Sequence, residues 1–100
     1  VADLFDLDLE ISADGKSVIV PREVVSLFVR FAREVKASGH RHYSSDSILH
    51  RIRWHMHVER GYREFKCNNN WTSVLSRWTM KNYPDLDGLF ETRELHTGDA

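Results

Sequence analysis

Residues 5–11 alternate without exception, with Phe5, Leu7, Leu9 and Ile11 on one side and Asp6, Asp8 and Glu10 on the other. A two-residue period predicts a strand with one face in a core and one in water. Asp14-Gly15 comes next, a pair suited to the positive φ angles of a tight turn, and Val18-Ile19-Val20 resumes a β-branched run. The pattern predicts a β-hairpin over 4–20 with an acidic outer face.

From Pro21 the period becomes helical. Val24, Phe28, Phe31 and Val35, reinforced by Val25, Leu27 and Ala32, form one apolar stripe. Pro21 suits a first helical turn, Arg33 and Lys36 complement the dipole in the last turn, and Gly39 suits the position just beyond it. These signals predict a helix over 21–38. A second helix over 44–60 starts at Ser44 or Ser45; with Ser44 as cap, Tyr43 and Ile48 take the positions of a hydrophobic staple. Its inward face is Ile48, Leu49, Ile52 and Met56, which leaves Arg51, Arg53, His55 and His57 outside.

Residues 62–67 mix aromatic and charged side chains and read as a loop or short strand. Asn68-Asn69-Asn70 supplies caps for a third helix over 70–83, whose seam is Trp71, Val74, Leu75 and Trp78. Thr72, Ser73, Ser76, Arg77 and Lys81 are expected on its other side, and Tyr83-Pro84 stops it. Leu86, Leu89 and Phe90 are expected to return to the core, 91–95 to form a short edge strand, and 96–100 to fray. The expected fold is a single α+β domain over 1–100, with Phe5, Leu7, Leu9, Phe28, Phe31, Ile52, Met56, Val74, Leu75 and Trp78 in its core.

Charge adds what hydropathy does not show. The net charge of −1 hides a segmented chain: residues 1–20 and 82–100 each carry −4, while 21–81 holds twelve Lys/Arg against five Asp/Glu and five of the six histidines. A basic middle attracts polyanions, unless the acidic ends fold over it. Sequence leaves both arrangements open. No run approaches the ~20 apolar residues of a membrane span. Neither a basic n-region nor an apolar h-region is visible at the start, and Cys67 has no second cysteine to pair with, so a cytoplasmic setting is expected.

Candidate chemistry is sparse. His55 and His57 are two apart on a helix and point about 200° apart, so they do not share an ion locally. His50 and His57 share a face but stand about 10 Å apart. His40 and His42 need partners from elsewhere, and no Cys-x-x-Cys supports zinc. Cys67 beside Asn68–70 is a nucleophile set only on paper, because such sets are defined by spatial roles; a packed thiol is its ordinary state. No catalytic motif, cofactor or metal site is expected.

Two readings remain. Three helices followed by an edge strand resemble a winged helix-turn-helix over about 21–95, although the link between the second and third helices is longer than the simple motif uses. The basic middle itself points to nucleic-acid binding, with Arg51, Arg53, Arg63, Lys66, Arg77 and Lys81 on phosphates and Thr72, Ser73 and Ser76 as small donors. Ile48-x-x-x-Ile52-Arg53-Trp54, Phe65-Lys66-Cys67-Asn68-Asn69-Asn70 and Phe90-Glu91-Thr92-Arg93 also resemble small uncharacterised phage and bacterial proteins, which implies a mobile-element setting and no particular activity. In such a setting a protein-binding module or inhibitor is the second reading. Asp6, Asp8 and Glu10 form its acidic row, and Trp54, off the apolar stripe, is either covered by the hairpin (the expected state) or exposed as an anchor. Scattered basic residues, or pairing with the hairpin's carboxylates, favour this second reading.

Overall fold

β1 (Asp8–Ala13) and β2 (Lys16–Pro21) pair antiparallel in a computed structural model, which describes residues 8–68 and 70–90. Asp14 and Gly15 have φ of 53° and 81°, the left-handed pair that a two-residue turn between twisted strands requires. The register sets Leu9 opposite Val20 and Ile11 opposite Val18. Ile11, Ala13 and Val20 are buried, while Asp8, Glu10, Ser12, Ser17 and Ile19 face outward. Phe5, Asp6 and Leu7 lie outside the described residues.

Pro21 closes β2 and does not open the next helix. Its φ of −57° is proline's own, but a ψ of 138° holds it extended, so α1 runs Arg22–Ala37 with Pro21 as its cap. At the far end Gly39 takes φ 99°, and the Gly39 and His40 N–H groups return to the Lys36 and Val35 carbonyls. That is the Schellman arrangement, closing carbonyls the helix leaves open.

Ser44 caps α2 (Ser45–Trp54), its hydroxyl accepting from the Ser47 N–H at 3.2 Å. The helix then widens into a π turn, His55–Glu59, in which the Arg60 N–H reaches the His55 carbonyl at 2.9 Å. One extra residue in the turn rotates the later side chains about the helix axis. His57, expected outside, is half-buried, and its Nε2–H donates to the Phe65 carbonyl at 2.7 Å. Residues 60–68 run irregularly toward α3 (Trp71–Asn82). Asn70 has helical angles and makes no side-chain cap bond. The capping role falls to Asn68, whose Oδ1 accepts from the Asn70 N–H at 2.9 Å and whose carbonyl accepts from Trp71; Asn69 lies outside the described residues.

α3 packs against the hairpin, α2 and α1. Phe28, Phe31, Ile52, Met56, Val74 and Leu75 are buried as expected, and Leu9 is partly so. Trp78 is only partly buried, its ring set against Tyr83 at 5.9 Å, and Thr79 occupies the fully buried position beside it. After a 3₁₀ turn at Pro84–Leu86, the buried Leu86, Leu89 and Phe90 return to the core. The Tyr43 N–H bonds the Leu89 carbonyl, and Tyr43 and Phe90 form a parallel bridge. The expected strand 91–95 and tail 96–100 lie outside the described residues. Among the described residues no helix is long and apolar enough to cross a membrane.

Candidate functional site

The basic middle is distributed over the molecule, and much of it is paired. Arg77 on α3 lies 3.0 Å from the Asp14 carboxylate at the hairpin turn. Arg60 bonds Glu23, Arg30 pairs with Glu34, and Arg33 reaches Asp85 with Nε at 3.1 Å. Lys36 donates to the Asp85 carbonyl. The bond from Arg33 holds the Asp85 carboxyl below the usual carboxylate range. Both acidic ends thus contribute counter-charges: Asp14 from the first, Asp85 from the second.

Arg51 is the most engaged of the expected contacts. Its guanidinium stands 4.7 Å from the Phe31 ring centre and 5.1 Å from that of Trp54, with Nη1 3.3 Å from Glu59 Oε1. The His55 Nδ1–H donates to the same oxygen at 2.5 Å. Hydrogen bonds from His55 and then Arg51 hold the Glu59 carboxyl below its ordinary value. Trp54 itself is exposed, contrary to the expectation that the hairpin covers it. Stacking of a guanidinium on one of its faces restricts its rotamers without burying it.

Of the small donors expected on the open side of α3, only Ser73 is exposed. Thr72 and Ser76 are buried, because α3 sits between the hairpin and α2 and so loses more than one stripe of its surface. Ser76 Oγ donates to the Ser73 carbonyl at 3.0 Å. Arg53, Thr72 and Ser73 do come together, with His50 and Asp46, around a polar cavity of about 550 Å³ between α2 and α3. The Cys67 thiol points to the Leu49 carbonyl at 4.0 Å, and burial pushes its pKa up although the neighbouring Arg53 favours the thiolate. A protonated, half-buried thiol is a poor nucleophile. Arg63, Lys66 and Lys81 are exposed, and Asp8 and Glu10 project from β1; Asp6 lies outside the described residues. Among the described residues no three His, Cys, Asp or Glu are grouped to hold a metal.

A second cavity, about 580 Å³, runs between the open end of the hairpin and residues 62–66. Sequence reasoning missed two of its rim residues, Ile19 and Tyr62, and also missed Val58. Ile19 was legible, since three consecutive apolar residues on a strand must turn one outward. Val58 was legible too, one turn from Trp54 and off the apolar stripe; Tyr62 was not, because it lies in the irregular segment after Gly61. Comparison with family models, with curated proteins and with solved structures found no match to this chain.

Proposed function

We propose that this chain is a small protein-binding module. The observation that carries the reading is the exposure of four large apolar side chains: Ile19 at 56%, Trp54 at 51%, Val58 at 58% and Tyr62 at 49%. Singly, such residues are ordinary. Here Trp54 and Val58 stand one turn apart on the same helix, Ile19 and Tyr62 share one groove, and Arg51 braces Trp54. Rigid aromatic residues and arginine dominate the energetics of protein interfaces. The pairing of Arg77 with the hairpin's Asp14, and the spread of the other cations, further support this reading.

One observation favours nucleic-acid binding instead. His50, Arg53 and Ser73 line a single polar cavity, and Arg63, Lys66 and Lys81 have no ion-pair partner among the described residues. Fluorescence anisotropy with random duplex DNA at two salt concentrations separates the two readings. The protein-binding reading expects weak binding with a shallow salt slope, while a benzophenone side chain at position 54 gives a discrete protein adduct that one at position 81 does not. Binding that weakens with a log–log slope beyond about −3, and flattens when Arg63, Lys66 and Lys81 are changed to Glu, establishes phosphate contacts and replaces it.

A further inference from the structure

We infer that the groove at the open end of the hairpin receives a basic, apolar segment of a partner protein. Its floor is Met56, Phe65 and Trp71, all buried, and Ile19 and Tyr62 stand half-exposed at its rim. Such a recess accepts an apolar side chain whose burial drives association.

Charge selects the partner. Glu10 lies directly across from Ile19 in the strand register, and Asp8 across from Pro21, so both carboxylates share the outward face with the apolar rim. Neither has an ion-pair partner among the described residues. Glu23, also at the groove, is bonded to Arg60 and offers little net charge. The hairpin wall is therefore acidic around an apolar centre, the complement of an apolar residue flanked by lysine or arginine. Lys66 lines the opposite wall. It repels a second cation there and gives the bound segment a direction, with cations toward β1 and carbonyl groups toward Lys66.

This assignment rests on the protein-binding reading, and one titration distinguishes their failures. The probes are the capped hexapeptide Lys-Leu-Lys-Leu-Lys-Leu, its Glu-Leu counterpart, and a random 20-base-pair duplex, each followed by amide NMR shifts. The Lys-Leu peptide is expected to shift the amides of Ile19, Tyr62 and Phe65 and the Trp71 indole N–H. Changing Asp8→Asn with Glu10→Gln is expected to weaken it about fivefold or more, as is Ile19→Ser. These positions are on the surface, and an unchanged melting temperature verifies the fold of each variant. Shifts confined to other faces, or an unchanged affinity in the double variant, overturn the assignment. Equal binding of the Glu-Leu peptide refutes the partner's charge alone, whereas shifts at these amides with the duplex and neither peptide refute the protein-binding reading itself.

Discussion

Arg77 and Asp14 meet at 3.0 Å although they lie far apart in the chain, so the third helix is held to the turn of the N-terminal hairpin. Asp14 is largely exposed, and exposed pairs contribute only about 0.2–1 kcal/mol. A double-mutant cycle with Arg77→Gln and Asp14→Asn should give a coupling within that range, falling with added salt. A coupling above about 2 kcal/mol would make the pair a structural clasp.

The third helix should depend on one asparagine of its triplet. Asn68→Ala removes the acceptor for the Asn70 N–H and should cost about 0.5–2 kcal/mol in urea unfolding. Asn70→Ala, at a position with no side-chain cap bond, should cost less than about 0.5 kcal/mol. The reverse order would relocate the cap.

Phe28 is fully buried and packs on Phe90 at 5.3 Å, whereas Trp78 is only partly buried. Truncation of Phe28 to Ala should cost about 3–5 kcal/mol, most of a small domain's stability. Trp78→Ala should cost clearly less, about 1–3 kcal/mol. Equal losses would return Trp78 to the centre of the core.

Thr79 carries the buried hydroxyl for which no hydrogen-bond partner is found among the described residues. Valine keeps the shape and removes the orphan polar group, so Thr79→Val should raise stability by about 1 kcal/mol. A less stable variant would reveal a partner for the hydroxyl.

Acid should weaken the fold through Glu59 and Asp85. Both carboxyls titrate below their unfolded values, so each stabilises the fold above about pH 4 and loses that effect as pH falls through its lowered value. Glu59→Gln and Asp85→Asn should each lower the melting temperature near neutral pH. The gap to the parent should close as pH falls below about 4. A gap that stays constant through the acid range would sink the assignment.

What was legible in the sequence followed periodicity and local chemistry. The Asp14-Gly15 turn, the Ser44 cap and the inward faces of α1 and α2 needed only neighbours within a few positions. The rest depended on distant partners. Thr72 and Ser76 read as surface residues because nothing local reveals that a hairpin covers that side of α3. His57 was misplaced because no residue announces the extra position in the π turn. Of the expected interface, Glu10 and Asp8 were read correctly as outward, but the groove beside them exists only where the hairpin meets residues 62–66.

The return of the chain at Leu86–Phe90 also orders events in folding. The hairpin, and each helix with its caps, close through short loops and can form early. The bond from Tyr43 to Leu89 and the packing of Phe28 on Phe90 bridge segments far apart in the chain, where loop closure is entropically costly. A ribosome-bound chain that has released α1, α2 and α3 but not Phe90 therefore still exposes the apolar surface these residues cover. During that interval, stretches such as Phe28 and Phe31 are open to chaperones or to aggregation, and the arrival of Leu86, Leu89 and Phe90 decides how long it lasts.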